Sequence, residues 1–395
     1  MKGKAADALS FSVRRLAEAV FKGERAKRVR MRGQEAKGGL KRRQRERPYS
    51  SELFDSGLAQ ATHAFCSHPG EPPEVNRRTT TNKENMKKVL CSLLLVLISC
   101  SVTLAQDKPL DELRRMFDYD RKASLDVKEV GVISRDGVRV RDITYVSPKG
   151  GRVTAYLVEP VRKGRFAGIV FGHWGYGTRT EFLPEAILYA RAGAISLLVD
   201  DPEVRPAPWR RSSPGTEPEA VRDNFIQSVV DLQRGIDLLS ARPGVDADRI
   251  AYVGHSSGAR WGAILSAIDK RIRTAILMAG VPTEATIYLE SEDPDFVEFR
   301  NSTPKEQRDK YIQTVSPLDA IRYVPYAAPT PLLFQFARFE RYFNEAAMLR
   351  YARAASEPKE VKWYDTGHEL NDIQALKDRA DWLRKQIGIK VSTIN

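Results

Sequence analysis

Ser256 stands in Gly254-His255-Ser256-Ser257-Gly258, a G-x-S-x-G pattern. With glycine near 7% of residues, a chain of 395 residues meets this pattern by chance roughly one time in ten. Its context sharpens it. An apolar run, Ile250-Ala251-Tyr252-Val253, leads directly into the first glycine, and helix-compatible sequence opens directly after the serine. Turning a strand into a helix within two residues forces the serine backbone into a strained conformation. Side chains two positions to either side would collide there, so glycine fills both places. The hydroxyl is thereby held out at the carboxyl edge of a sheet, beside the N-terminal N–H groups of the next helix. A serine so placed can attack a carbonyl and have the oxyanion stabilised. The alternative is an ordinary tight turn with a capping serine.

A serine hydroxyl needs a base. Three histidines follow residue 106: His173, His255 and His368. His255 lies inside the turn and is expected to point away. His173 belongs to Gly172-His173-Trp174-Gly175-Tyr176-Gly177, a glycine-punctuated loop able to offer a backbone N–H to an oxyanion, and its ring is expected to order that loop. His368, in Tyr364-Asp365-Thr366-Gly367-His368, follows the last strand and can reach back across the sheet edge, which makes it the base. The imidazole needs an acid to fix its tautomer. Glu340 is the carboxylate of Ala337-Arg338-Phe339-Glu340, after the strand at 331–336. Asp365 is too close in sequence to His368, and Glu284 is the fallback. Glu340 as a surface carboxylate paired with Arg338 or Arg341 is the competing reading. Tyr176 and Trp209 are candidate substrate-binding residues, with Trp174 and Arg210 as further lining. The pair Arg210-Arg211 hints at an anionic substrate, against a solvated surface reading.

The elements that must position these residues are legible. Residues 127–159 alternate apolar and polar, with turn signals at Asp136-Gly137 and Pro148-Lys149-Gly150-Gly151, and so predict a three-strand antiparallel meander. Gly168–Gly172 and Ala194–Val199 are continuous apolar runs, the mark of strands buried on both faces of a parallel sheet. A helix is expected after Thr216, which with Glu219 makes a capping box and has Pro218 in the first turn. Its apolar stripe runs through Val221, Phe225, Val229, Leu232, Ile236 and Leu239. Strands at 249–253, 274–278, 331–336 and 360–364 alternate with helices at 257–267 and 373–387. The fold class is therefore α/β, a mostly parallel central sheet flanked by helices with an N-terminal antiparallel meander. The segment 281–327 breaks the alternation and suggests a lid insertion; a plain surface excursion is the alternative.

Met86-Lys87-Lys88, the apolar run Val89–Ile98 and the small residues ending at Ala105-Gln106 have the layout of a secretory signal. The run is shorter than the roughly 20 residues a bilayer span needs, so export to the periplasm or medium is expected without a stable membrane span. Leu97-Ile98-Ser99-Cys100 also resembles a lipobox, which would place a lipid anchor on Cys100. Translation is expected to begin at Met86. Residues 1–85 are basic and hydrophilic and are expected to be a disordered or mis-translated leader. A nucleic-acid-binding arm is the rival reading, disfavoured because no aromatics interleave its basic residues. This leader holds 19 Lys+Arg against 10 Asp+Glu, net +9, and Lys87 and Lys88 add +2; the total of +13 leaves +2 for residues 106–395. The basic balance thus says nothing about the partners of the expected hydrolytic domain, 106–395, and no nucleic acid is expected there. All three cysteines, Cys66, Cys91 and Cys100, precede it, so neither a disulfide nor a thiolate metal ligand is expected.

The order Ser256, Glu340, His368 on alternating strands resembles the α/β-hydrolase superfamily. The stretch Val245-Asp246-Ala247-Asp248-Arg249-Ile250 leading to Gly254-His255-Ser256-Ser257-Gly258 is similar to its dienelactone-hydrolase-like and prolyl-oligopeptidase-like members. The resemblance covers about residues 127–388. Two departures stand out: Ala259 follows Gly258 where many relatives have a second glycine, and the acid is Glu340 instead of Asp. The resemblance implies an oxyanion hole from the backbone N–H groups of Ser257 and of a residue near Trp174. It does not fix the substrate; the residues themselves lead to acyl transfer through Ser256 on a small-molecule ester, with no cofactor and no metal expected. A serine peptidase or amidase on small peptides is the alternative, although the stretch before residue 221 is too short for a propeller domain. A catalytically silent binding protein of the same fold is the third reading.

Overall fold

The computed structural model describes residues 110–391. The expectations for the leader, the signal segment and Cys100 lie outside the described residues. Helix α1 (Leu110–Arg115) seats Leu113 in the core, with Phe117 following. Strands β1 (Lys128–Arg135), β2 (Val138–Val146) and β3 (Arg152–Pro160) form the expected antiparallel meander. Asp136 and Gly137, at φ 50° and 76°, make the two-residue turn that matches strand twist.

Strands β4 (Phe166–Gly172) and β5 (Ala194–Val199) are buried throughout, as their unbroken apolar sequence predicts. Helix α2 (Leu183–Arg191) joins them, and α3 (Pro218–Ala241) leads on to β6 (Val245–His255). After α4 (Ser257–Ile268) and β7 (Ile272–Met278) come three helices of the excursion: α5 (Glu284–Tyr288), α6 (Pro294–Ser302) and α7 (Lys305–Val315). The chain closes with β8 (Leu332–Ala337), α8 (Glu345–Ala354), β9 (Lys359–Tyr364) and α9 (Ile373–Ile387), the last ending on Gly388 in the left-handed region, at φ 68°.

The nine strands form one sheet in the order β1-β2-β3-β5-β4-β6-β7-β8-β9, parallel from β5 to β9 and antiparallel from β1 to β5. Successive residues of a strand face opposite sides. Ile250 and Tyr252 of β6 therefore enter one core with α3, α4 and α8, while Ala251 and Val253 enter the other with α2 and α9. From β4 the chain steps out to β5 and returns to β6 on the far side of β4. Such a reversal opens a crevice at the carboxyl ends of the strands, where α/β sheets bind ligands.

Two local expectations change. The capping box at Thr216 does not form: Glu217 is the N-cap residue of α3, and its carboxylate accepts from Arg210 and from the Ser213 N–H. The middle of α3 is buried well beyond a single stripe, because α7 packs across its outer side. Among the described residues no helix is long and apolar enough to cross a membrane.

Candidate active site

The turn after β6 is built on close backbone contact. Ser256 takes φ 53° and ψ −108° at the start of α4, a region that costs a non-glycine residue roughly 1–3 kcal/mol. A Cβ on Gly254 would lie 2.3 Å from the Gly258 carbonyl oxygen, and one on Gly258 would lie 2.1 Å from that of Gly172. Both glycines are thus needed for β4, β6 and α4 to meet. The Ser256 N–H donates to Met278 O at 2.8 Å and the Gly258 N–H to His173 O at 3.0 Å, so the turn is pinned to the strand on either side.

His368, in the loop after β9, lies 2.7 Å through Nδ1 from Oε2 of Glu340, in the loop after β8. Their side chains are 3% and 1% exposed. A carboxylate accepts only, so Nδ1 carries the proton and Nε2 presents its lone pair. Nε2 is buried without a hydrogen-bond partner, and His368 lines the same cavity as Ser256. The ring is held edge to face by Tyr342, 4.6 Å between centroids, and by Phe343. The Tyr342 N–H donates to Oε1 of Glu340, fixing the carboxylate in turn. The other carboxylates weighed are engaged elsewhere: Asp365, set aside for its closeness in sequence, pairs with Arg338 at the surface, and the fallback Glu284 pairs with Arg260 and accepts from the Tyr311 hydroxyl. Arg341 pairs with Asp293, so neither arginine suggested as a surface partner takes Glu340.

The loop after β4 follows a different plan from the one its sequence suggests. His173 does order it, donating from Nδ1 to Trp174 O and accepting the Asp201 N–H at Nε2. The Trp174 N–H, however, donates to Oε2 of Glu181 at 2.8 Å. That donor can reach an oxyanion only by exchanging this bond. Oε1 of Glu181 lies 2.6 Å from Nδ1 of His255, whose Nε2 lies 2.8 Å from the carbonyl oxygen of His368. A neutral imidazole can donate to one of these acceptors and an imidazolium to both. Glu181 and His255 therefore link the loop after β4 to the loop carrying His368. Neither was singled out for this from sequence, since residues so far apart in the chain leave no local signal. The Ser257 N–H opens α4 between the two pinned donors, and a Cβ on Gly175 would sit 3.0 Å from the Ser257 hydroxyl, so the two segments face each other.

The carboxyl edge encloses a cavity of about 320 Å³ lined by Ser256, Ser257, His368, Trp174 and Tyr176 among others. Tyr176 is exposed at its mouth with the Arg211 guanidinium over its ring at 4.4 Å. Trp209 does not line it. Its indole packs against Gly151 of the meander turn and under Arg205, at 5.3 Å, because the segment after β5 folds back over β2 and β3. Arg210 is likewise outside, paired with Glu217.

Residues 108–205 match the acetyl xylan esterase (AXE1) family model, a stretch running from the chain before α1 past β5 that excludes Ser256, Glu340 and His368. No curated protein sequence matches the chain. Among solved structures it is similar to an acetyl xylan esterase from Paenibacillus sp. R4, with a TM-score of 0.57 at 18% identity over 70% of this chain and 93% of that one. Acetyl xylan esterase 1 from Thermoanaerobacterium sp. JW/SL YS485 also has a TM-score of 0.57, at 15% identity over 70% of this chain and 92% of that one. The chain has the α/β-hydrolase fold. At this level of identity the solved structures speak for the fold alone, and the family match is confined to residues 108–205.

The cavity has two unlike walls. The segment after β5 brings Asp201, Glu203 and Arg211, with Asn224 from α3. Burial pushes the Asp201 and Glu203 carboxyls up from their usual range, against the pull of His173 and Arg211 on the first and Arg211 on the second. These groups bond one another: Arg211 to Glu203 at 3.0 Å, and Asn224 to Ser212 at 3.1 Å. The excursion supplies the facing wall, with Tyr288, Phe296, Phe299 and Tyr311. Arg260 and Trp261 of α4 lie between them. Both are missable in sequence, because an arginine and a tryptophan one turn into an apolar helix read as scaffold. Among the described residues there is no group of three or more His, Cys, Asp or Glu able to hold a metal.

Proposed function

We propose that the chain is a serine carboxylic ester hydrolase working through an acyl-enzyme on Ser256. The observation that carries this is the His368–Glu340 pair: His368 keeps a buried Nε2 without a hydrogen-bond partner and lines the same cavity as Ser256, a serine held at φ 53°. In the first half, Ser256 Oγ attacks the ester carbonyl carbon while Nε2 of His368 takes its proton, and the Glu340 carboxylate stabilises the imidazolium. The tetrahedral oxyanion is met by the Ser257 N–H and, once Glu181 releases it, by the Trp174 N–H. The C–O bond to the alcohol then breaks and His368 returns the proton to the leaving oxygen. In the second half His368 activates water, which attacks the acyl carbon; the serine ester bond breaks, and carboxylic acid and free Ser256 result. Side chains and water suffice for every step. The family match over residues 108–205 favours an ester over an amide substrate.

The test is hydrolysis of a p-nitrophenyl ester series, acetate to octanoate, by wild type and Ser256→Ala. We expect wild-type turnover and a loss of kcat on the order of 10⁵-fold or more in the variant, the scale set by removing a triad serine. Turnover of peptide amides in place of esters would move the reading to an amidase. Export from residue 106 is part of the same proposal and rests on the signal-like segment 86–105. N-terminal sequencing of protein expressed from Met86 is expected to begin at Gln106, and retention of the segment would contradict it.

A further inference from the structure

Resting on the ester-hydrolase reading, we propose that the cavity takes an ester whose larger group is an aromatic ring bearing an oxygen acceptor. Three observations converge. First, the rings of the excursion, continued by Tyr342 from the loop after β8, form a continuous set running to the base. Tyr342 stands 4.6 Å from His368, Phe296 6.0 Å from Tyr342, and Tyr288 5.0 Å from Phe296, all edge to face. Tyr288 in turn meets Phe299 at 5.0 Å and Tyr311 at 4.9 Å. A further planar ring entering beside Ser256 finds ring faces and edges in the geometry aromatic pairs prefer.

Second, two residues of α4 that line the same cavity carry buried hydrogen-bond donors without partners. Trp261 is 4% exposed and its Nε1–H has no acceptor; Arg260 is 8% exposed and its Nε–H has none. A buried donor left unpaired is costly, and a ligand oxygen that meets it is favoured over a ligand lacking one. Third, the Arg260 charge is already matched by Glu284, so the site calls for a neutral acceptor such as an ether or phenol oxygen and does not call for a carboxylate. A sugar face could also lie on these rings, but a pyranose carries several hydroxyls. The polar groups of the facing wall are occupied with one another, Arg211 with Glu203 and Asn224 with Ser212.

The aromatic ring could belong to the acid or to the alcohol, and the assay separates them. Hydrolysis is followed by proton release for ethyl 4-methoxybenzoate, 4-methoxybenzyl acetate, their unmethoxylated counterparts, ethyl butyrate and xylose tetraacetate. We expect one methoxylated aryl ester to exceed ethyl butyrate and xylose tetraacetate in kcat/KM by about tenfold or more. Trp261→Phe keeps the ring and removes the N–H. It is expected to lower the preference for the methoxylated over the unmethoxylated ester by about fivefold or more. Tyr288→Leu is expected to lower kcat/KM for aryl esters more than for ethyl butyrate. Preference for butyrate or the sugar acetate, or an unaltered methoxy preference in Trp261→Phe, would overturn the assignment. Inertness on both aryl esters would overturn it as well. Fluorophosphonate labelling of the same sample then separates the two failures: an adduct on Ser256 leaves the hydrolase standing, and no adduct removes both.

Discussion

In the proposed mechanism Glu340 stands where aspartate is commoner, with a side chain one methylene longer. Its two oxygens are held by His368 Nδ1 and the Tyr342 N–H, leaving the carboxylate almost fully buried. A carboxamide in its place would keep the shape but lose the charge that stabilises the imidazolium. Glu340→Gln is therefore expected to lower kcat by roughly 10³–10⁴-fold with little change in KM, measured on the best p-nitrophenyl ester. An unchanged kcat would remove Glu340 from the mechanism. Ser256, His368 and Glu340 were readable because each follows a strand, and chain order alone places them on one sheet edge. Only its loop position recommends Trp209 in sequence, whereas its indole packs against Gly151 from a turn far away in the chain. The bond from Trp174 to Glu181 is of the same kind, decided by packing and invisible in local pattern.

At the scale of elements, the excursion α5–α7 is fastened where it begins and ends. Asp319, just before the short 3₁₀ turn Ala320–Arg322, accepts the Glu284 N–H at the start of α5 at 2.8 Å. Burial raises its carboxyl from 3.8 to about 7, with the Glu284 N–H pulling the other way and the Glu284 charge adding to the rise. A carboxyl raised on folding binds its proton more tightly in the folded state. Its contribution is full below pH 3.8 and is lost as pH rises through about 7. Between those values unfolding free energy should fall with pH by up to about 1.4 kcal/mol per unit from this group. Asp319→Asn is expected to flatten that slope in urea unfolding curves taken from pH 4.5 to 7. A slope identical to wild type would show that Asp319 titrates no differently when folded. The aromatic spacing of the excursion, Tyr288, Phe296, Phe299 and Tyr311, stood in the sequence. Acidic residues between Glu290 and Asp295 masked it: Glu290 and Glu292 are exposed, while the rings close inward.

Taken as a whole, the molecule joins an antiparallel meander to a parallel α/β body, and a buried polar network secures the joint. Asp231 of α3 pairs with Arg205 at 2.7 Å, both side chains fully buried, and accepts from Ser147 at the end of β2 at 2.5 Å. The Tyr145 hydroxyl donates to the Asp231 carbonyl at 2.8 Å. Removing one member leaves a buried arginine uncompensated, so Asp231→Ala is expected to cost about 3–5 kcal/mol by urea denaturation. The double change Arg205→Met with Asp231→Leu should cost less than the single one; equal or greater loss would contradict a pairing role. The meander, the parallel strands and their order of appearance were legible because burial on one or two faces writes itself into alternation or unbroken apolar runs. The register of the joint was not, since it depends on polar groups whose partners are distant in the chain. Ser256 and Ser257 both line the cavity, and the proposed mechanism requires the Ser256 hydroxyl to be the nucleophile. Treatment with a fluorophosphonate followed by peptide mass spectrometry decides this: one adduct is expected, on Ser256, absent in His368→Ala. An adduct on Ser257, or none on the native protein, would contradict it.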